Sequence, residues 1–153
     1  METSKNQWKA AEVKLTYRNK VKASERSKIG SSKDAYKLLL KNWDKDQIEF
    51  VEEFKVILLN SANQVLGIFN ASVGGRSGTM ADPRVIFAVA LKTAANAIIL
   101  AHNHPSGSLK KSQPDKSLTD KLAAAGSFLD ISVLDHLIIT REGYYSFADN
   151  GEL

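Results

Sequence analysis

An apolar run that ends in two histidines is the sequence feature that most constrains this fold. Residues 97–101, Ala-Ile-Ile-Leu-Ala, are a short continuous apolar stretch and predict a buried strand. Side chains alternate along a strand, so His102 and His104 are predicted to point in the same direction. Pro105 cannot continue a strand ladder and Gly107 favours a turn, so both histidines are expected at the strand end. Such a position is typical of a functional site.

Two imidazoles on one side of a strand are suited to binding a metal ion. His102 and His104 can occupy two corners of a tetrahedral Zn²⁺ site, and Asp115 is a candidate third ligand. Three protein ligands leave a fourth position for water or substrate, as catalytic zinc sites require. A structural interpretation stands beside this one, because Ser112 followed three residues later by Asp115 is also the pattern of a helix N-terminus.

Length and composition favour a single soluble domain. The 153 residues suffice for one hydrophobic core. No apolar run approaches the length of a membrane helix and the N-terminus is polar, so we expect a cytoplasmic protein without a membrane span. The chain has no cysteine, which excludes disulfides, thiolate metal ligands and the zinc deaminase pattern.

The positive charge is concentrated near the N-terminus. Residues 1–41 hold eleven Lys/Arg and four Asp/Glu, a balance of +7, whereas residues 42–153 hold ten and thirteen, a balance of −3. Such a basic segment can bind DNA or an acidic partner, or it can be a solvated surface. We therefore predict a basic, partly ordered segment over residues 1–30, followed by one domain over residues 31–153.

Hydrophobic periodicity predicts alternating strands and helices. The predicted strands are 12–17, 48–60, 65–70, 97–102, 131–140 and 144–147, and the predicted helices are 31–43, 82–95 and 114–126. Residues 61–64 predict a hairpin turn, and Gly126 predicts a helix C-cap. The glycine-rich residues 72–79 favour a mobile loop or a hairpin turn near a substrate groove. A strand, a crossover helix and a strand in succession indicate an α/β layered domain.

The histidine motif resembles that of a known metal-dependent family. His102-x-His104-Pro105 followed by Ser112-x-x-Asp115 resembles the metal motif of JAMM (MPN+) domains. The run from His102 to Gly107, with Leu134-Asp135-His136 later, is most similar to the RadC branch, over about residues 36–149. The resemblance implies a JAB/MPN-like α/β fold: a mixed, mostly antiparallel sheet flanked by helices, layered as in cytidine deaminases.

The same resemblance implies a set of site residues and a reaction. His102, His104 and Asp115 would be zinc ligands, Ser112 would help to stabilise the oxyanion, and a glutamate on an earlier strand would be the general base. JAMM relatives include peptidases and isopeptidases, so the implied activity is hydrolysis of an amide bond in a peptide or protein substrate.

Two adjacent glutamates compete for the role of general base. Alternation puts Glu52 on one strand face with Phe54 and Glu53 on the other with Lys55, and both faces are apolar further along. Periodicity therefore leaves both residues open. RadC-like sequences carry the acid two residues before the aromatic residue that opens the apolar run, and this position corresponds to Glu52.

Other functions remain open from the sequence. RadC-like proteins are described as associated with DNA repair and carry an N-terminal helix-hairpin-helix region, whereas this chain offers a short basic lead. A DNA-binding module, an inactive metal-binding interaction domain and, more weakly, a phosphodiesterase are the alternatives. His136 is interpreted as a core histidine paired with Asp135 or a backbone carbonyl, or as a support for the metal ligands. Lys110 and Lys111 are interpreted as solvated charges.

Overall fold

The computed structural model describes residues 7–74 and 81–153. Within these residues, five strands form one sheet, and its order places the histidine-bearing strand in the middle. The strands are β1 (Glu53–Leu59), β2 (Val65–Val73), β3 (Ala97–Asn103), β4 (Ser132–Ile139) and β5 (Tyr144–Ser146), arranged in the order β2-β1-β3-β4-β5. β3 and β4 are parallel and the other three pairs are antiparallel. The predicted mixed, mostly antiparallel sheet is confirmed.

Three helices cover the sheet, close to their predicted positions. They are α1 (Ser32–Asn42), α2 (Pro83–Lys92) and α3 (Gln113–Phe128), and a short 3-10 helix spans Ala23–Glu25. Each α-helix begins at a side-chain cap: Ser31, Asp82 and Ser112 accept a hydrogen bond from a backbone N–H of the first turn. The α3 helix is the crossover between the parallel strands β3 and β4.

The sheet is buried on both faces, which explains why its central strands are apolar throughout. One face packs against α1, where Leu39 contacts a cluster that includes Ile57 and Leu59. The other face packs against α2 and α3, where Ile86 and Leu122 belong to a second cluster. All seven residues of β3 are buried. Burial of both faces is the reason that alternation could not separate the two glutamates before β1.

The prediction of a strand at residues 12–17 was wrong. This segment has no regular structure, and Val13 and Leu15 are 92% and 71% exposed. Alternating apolar residues form a stable strand when a neighbouring strand pairs with them and a core covers one face. The described part of the chain supplies neither here. The chain first meets the sheet at Tyr17 and Asn19, which donate hydrogen bonds to the carbonyl of Leu66 on β2.

The predicted strand 48–60 is shorter at its N-terminal end. Residues 45–50 form turns in which the N–H groups of Ile48 and Val51 donate to Asp44 and Gln47, and the strand starts at Glu53. The side-chain amide of Asn103 donates to the carbonyls of Ile48 and Val51, at 2.7 and 2.9 Å. A distant side chain therefore decides this boundary.

Two of the predictions concern glycine residues, at position 126 and within residues 72–79. Gly126 is not the C-cap of α3, because the helix continues to Phe128. The glycine instead allows a close approach, since a Cβ at this position would lie 2.3 Å from the carbonyl oxygen of Ile131. Of the glycine-rich residues 72–79, the first two end β2, and residues 75–80 lie outside the described part of the chain. The hairpin between β1 and β2 is confirmed.

Candidate metal centre

The end of β3 brings both histidines to the face of the sheet that α3 covers. His102 is paired with Phe54 on β1 and with Ile138 on β4, and its side chain follows the parity of Leu100. His104 lies one residue beyond the strand, where its N–H donates to the carbonyl of Ile139 at 3.1 Å. The predicted common direction of the two histidines is confirmed, because their Nε2 atoms are 3.0 Å apart.

The loop after β3 fixes the orientation of the His104 ring. Gly107 has a φ of +82°, and its N–H donates to the His104 carbonyl at 2.9 Å, so the chain folds back on itself. The carbonyl oxygen of Ser108 then lies 2.8 Å from Nδ1 of His104. A carbonyl can only accept a hydrogen bond, so Nδ1 carries the proton. In the neutral ring Nε2 is therefore an unprotonated lone pair.

Two carboxylates approach the paired Nε2 atoms. Glu52 Oε1 lies 4.0 Å from Nε2 of His102. Asp115 Oδ1 lies 3.4 Å from the same atom, and its Oδ2 lies 3.8 Å from Nε2 of His104. One donor atom each of Glu52, His102 and His104 can be chosen so that all three lie within 4.8 Å of one another. The site thus gathers two imidazoles and two carboxylates around one point.

The structure places the two adjacent glutamates on opposite faces of the sheet. Glu52 directly precedes β1, two residues before Phe54, and therefore shares the face of His102. Glu53 faces the other way and forms an ion pair with Lys55, whose Nζ lies 3.3 Å from Oε2 of Glu53. Of the two, Glu52 is the one beside the histidines.

Asp115 and Ser112 are held together at the start of α3. The hydroxyl of Ser112 accepts from the N–H of Asp115 at 3.1 Å, and Oδ2 of Asp115 accepts from the N–H of Ser112 at 2.9 Å. This capping box is the structural alternative that the sequence suggested. It coexists with the site, because Oδ1 of Asp115 is the atom directed at His102. Ser112 itself is exposed, and its role toward an oxyanion stays a prediction.

The two carboxylates differ in their proton affinity. Burial raises the pKa of Glu52 above its ordinary value, and Asp115 adds to this effect while His102 and His104 oppose it. Burial would also raise the pKa of Asp115, but the hydrogen bond and charge that His102 provides when its ring is protonated, together with the hydrogen bonds of Ser112, hold that pKa well below its usual range. Asp115 therefore gives up its proton more readily than Glu52 does.

This arrangement fits a bound cation. Two nitrogen and two carboxylate ligands within a few ångströms match the donor set of a zinc ion. Two neutral imidazoles with lone pairs 3.0 Å apart repel each other unless a proton or a metal ion lies between them. Glu52, His102 and His104 therefore form a possible metal-binding group. The predicted ligand set has Asp115 in place of Glu52, and this assignment stays a prediction.

His136 lies behind His102, and sequence reasoning found only part of its role. The ring is fully buried, as expected of a core histidine. Its ring is not paired with Asp135 and instead contacts a candidate metal ligand, the alternative that the sequence left open: Nε2 contacts Nδ1 of His102 at 2.7 Å, and Nδ1 contacts Oγ1 of Thr119 at 2.6 Å. The Asp135 carboxylate accepts from the backbone N–H groups of His136 and Ala148 and from the Ser146 hydroxyl. Burial, more than any neighbouring charge, lowers the pKa of His136 far below its ordinary value.

Thr119 was not predicted from the sequence. It lies four residues after Asp115 on α3, so both side chains share one helix face. This spacing was the available signal, but it gains meaning only once α3 is packed on β4. The flanking Lys111 is not simply solvated, because it forms an ion pair with Glu152.

An open cavity of about 390 Å³ borders the site. His104, Pro105 and Gly107 form one side, and residues of the β4–β5 turn and of the turns before β1 form the other. Charges of both signs line it, including the exposed pair Glu49 and Arg141. Of the candidate ligands, His104 lines this cavity.

The chain matches one described family over most of its length. The family model of the RadC-like JAB domain matches residues 29–152. A UPF0758 protein of Flavobacterium johnsoniae is 46% identical over 124 residues, which are 81% of this chain and 53% of that protein. A UPF0758 protein of Moorella thermoacetica is 44% identical over 137 residues, 86% of this chain and 58% of that protein.

The chain spans about half the length of the curated relatives it matches. In the described part of the chain, no helix has the length and apolar character needed to cross a bilayer. Because the family model covers well over half of the residues, the chain belongs to the RadC-like JAB domain family.

Proposed function

We propose that this protein is a JAMM-type zinc hydrolase that cleaves a peptide or isopeptide amide bond. The observation that carries the proposal is the convergence of four potential ligand groups: Nε2 of His102 and His104, 3.0 Å apart, with the carboxylates of Glu52 and Asp115 beside them. Two imidazoles and two carboxylates that converge beside an open cavity support a catalytic metal.

His102, His104 and Asp115 would hold the zinc ion. The capping box keeps Oδ2 of Asp115 occupied and orients Oδ1, which suits a fixed ligand. When bound, zinc supplies Lewis acidity, which lowers the pKa of water and polarises a substrate carbonyl.

Glu52 would act as the general base and then as the general acid. Within residues 7–74 and 81–153 no hydrogen-bond donor engages its carboxylate, so the group is free to accept a proton from water. Its raised pKa favours holding that proton and delivering it to the leaving amine. The position two residues before Phe54 supports the same assignment by family resemblance.

Ser112 would donate its hydroxyl proton to the oxyanion. The hydroxyl oxygen accepts from the Asp115 N–H in the cap, and a hydroxyl can accept and donate at once. Its exposed position at the start of α3 leaves the O–H accessible to a substrate. Such a donor stabilises negative charge that develops in the transition state.

An amide substrate fits the local charge better than a phosphate ester. Glu52 and Asp115 repel an anionic phosphate, and the nearby Lys111 is paired with Glu152. The open cavity of about 390 Å³ beside His104 is a candidate surface for a polypeptide next to the site. These features favour a peptide or protein substrate over a phosphodiester.

A pair of adjacent substitutions tests the proposal. The zinc-loaded wild type is incubated with a library of peptides and isopeptide-linked peptides, and cleavage is read by mass spectrometry. Glu52→Gln is expected to lower turnover by about 10²- to 10⁴-fold, the usual contribution of a general base. Glu53→Gln, on the opposite face, is the matched control and is expected to keep near wild-type turnover. Equal loss in both variants, or wild-type turnover in Glu52→Gln, would refute the assignment.

DNA binding is a second candidate, and one observation favours it. Residues 7–22 are almost entirely exposed and carry Lys9, Lys14, Arg18, Lys20 and Lys22 against a single acid, Glu12. Counterion release would make such binding fall steeply with salt. Absence of binding to duplex DNA at low salt would exclude this candidate. Binding that is insensitive to salt, or that survives replacement of these cations by glutamine, would exclude residues 7–22 as the binding surface.

A further inference from the structure

Three buried polar groups form a continuous chain behind the metal-facing side of His102. Thr119 and His136 are fully buried, and His102 is 1% exposed. The contacts run from the carbonyl of Asp115 to Oγ1 of Thr119 at 2.7 Å, to Nδ1 of His136 at 2.6 Å, and from Nε2 of His136 to Nδ1 of His102 at 2.7 Å. Each distance is that of a well-formed hydrogen bond.

The direction of each hydrogen bond follows from its starting point. The carbonyl of Asp115 can only accept, so the hydroxyl of Thr119 donates to it. A hydroxyl has one proton, and therefore Oγ1 of Thr119 can only accept from Nδ1 of His136. In the neutral His136 ring, a protonated Nδ1 leaves Nε2 as an acceptor. Nδ1 of His102 must then be the donor.

We propose that Thr119 and His136 fix His102 as the Nδ1–H tautomer and thereby present an unprotonated Nε2 to the cation site. Thr119 is a positioning residue that acts through His136 without touching the metal. The inference rests on the proposed metal-binding function of the site. Both metal-facing histidines then have the same tautomer, because the Ser108 carbonyl fixes His104 as the Nδ1–H form.

Aromatic side chains hold the rings of His102 and His136 in the orientation that this hydrogen-bond relay requires, which runs from Asp115 through Thr119 and His136 to His102. Phe54 is parallel to the ring of His102, with centroids 6.1 Å apart, and meets His136 edge-on at 5.6 Å. Phe147 stacks on the other side of His136 at 4.9 Å. A ring flip of His136 would have to displace these side chains, so the core packing holds the ring orientation that the hydrogen bonds require.

The relay also couples two candidate ligands through one residue. Thr119 donates to the backbone carbonyl of Asp115 and accepts from the ring that supports His102. Loss of the Thr119 hydroxyl would leave Nδ1–H of His136 without an acceptor. His136 would then be free to adopt the other tautomer, which places a proton on Nε2 and forces His102 to accept at Nδ1. His102 would meet the cation with an N–H.

The test reads the tautomers directly in the metal-free chain. Nitrogen-15 NMR of the histidine side chains, at a pH where the rings are neutral, distinguishes protonated from unprotonated Nδ1 and Nε2. The expected wild-type result is Nδ1–H for all three histidines. In Thr119→Val, which keeps the shape but removes the hydroxyl, His102 and His136 are expected to gain the Nε2–H form. His104 should not change, and it is the internal reference.

Zinc affinity is the second readout. Thr119→Val is expected to weaken zinc binding by about 10- to 100-fold, as loss of an outer hydrogen-bond partner does at zinc sites. Thr119→Ser retains a hydroxyl and should restore most of the affinity. Thr93→Val is the matched control, because the hydroxyl of Thr93 makes the same bond to the carbonyl four residues earlier on α2, away from the site. Its zinc affinity should equal that of the wild type.

The outcomes separate this inference from the proposed function. A wild-type His102 with its proton on Nε2, or unchanged tautomers and affinity in Thr119→Val, would overturn the relay even if the protein hydrolyses amides. Conversely, the expected tautomers in a protein that binds no zinc would refute the metal proposal and leave the hydrogen-bond relay established. Equal loss of affinity in Thr119→Val and Thr119→Ser would show a packing effect and contradict the relay.

Discussion

At the end of β3, the polar groups on the two faces of the sheet differ in the partners that the protein supplies. On the α1 face, Asn103 accepts from the Glu53 N–H at 2.7 Å and donates to two carbonyls, and Glu53 is neutralised by Lys55. On the α3 face, Glu52 and His102, each one residue away from its counterpart, line the candidate metal site, where Oε1 of Glu52 lies 4.0 Å from Nε2 of His102. Adjacent polar residues thus stabilise the turns before β1 on one face and line the candidate site on the other.

A structural polar cluster differs from a functional one in whether the protein itself satisfies its polar groups. Buried groups that the protein satisfies stabilise the fold, and their loss costs free energy of unfolding. Groups that converge without partners cost stability in the free protein and recover it when the ligand binds. Substitutions on the two faces should therefore shift stability in opposite directions.

The largest effect is expected at Asn103. Asn103→Ala removes three hydrogen bonds and leaves one N–H and two carbonyls unsatisfied in the turns before β1. We expect a loss of about 3 kcal/mol in the free energy of unfolding, measured by urea denaturation. The zinc stoichiometry should be unchanged, since none of the ligands is altered. Wild-type stability in this variant would contradict the structural role of the α1 face.

A smaller loss is expected at Glu53. The ion pair with Lys55 is mostly buried, with side-chain exposures of 14% and 7%, and Lys55 also donates to Asn70 and lies over the ring of Trp43. Glu53→Gln leaves the ammonium group with weaker compensation and should cost about 1–2 kcal/mol of unfolding free energy. The loss should persist in the presence of zinc. A variant as stable as the wild type would show that the pair contributes nothing.

The smallest effect, of opposite sign, is expected at Glu52. Burial raises its folded-state pKa, so the folded protein binds the proton more tightly than the unfolded chain. The stabilisation this proton provides is complete below the unfolded pKa and is lost as pH rises through the folded pKa. At neutral pH, Glu52→Gln should therefore raise the melting temperature of the metal-free protein by about 2 °C.

The pH dependence supplies the control for that prediction. The difference in melting temperature between Glu52→Gln and the wild type should shrink toward zero at acid pH, where the wild-type carboxyl is also neutral. The same substitution one residue later destabilises the protein, so the pair tests the comparison directly. A destabilised Glu52→Gln at neutral pH would mean that the carboxylate has a protein partner.

The sequence predicted the parts of the fold that local patterns specify. The apolar run before His102 predicted β3, and the cap residues predicted the starts of α1, α2 and α3. The prediction of a strand at residues 12–17 was wrong, because alternating apolar residues form a half-buried strand only when a neighbouring strand pairs with them. Val13 is 92% exposed. The start of β1 was wrong because Asn103, fifty residues later, stabilises the turns that replace the first residues of the strand.

The candidate site divides in the same way. The pairing of His102 and His104 follows from strand periodicity and was predicted, whereas the choice of Glu52 over Glu53 depended on family resemblance because both strand faces are apolar. Thr119 and the orientation of His136 could not be predicted. They depend on the register of α3 against β4, which no local pattern specifies.

The number of zinc ions per chain tests whether His102, His104 and Asp115 bind a metal ion. The wild type, Glu52→Gln and His104→Ala are reconstituted with zinc, freed of excess metal by gel filtration and analysed for zinc per chain. If His102, His104 and Asp115 are the ligands, wild type and Glu52→Gln should each retain close to one zinc ion per chain, and His104→Ala should retain almost none. A wild type that binds no zinc after reconstitution, or a His104→Ala variant that binds as much as the wild type, would contradict the account.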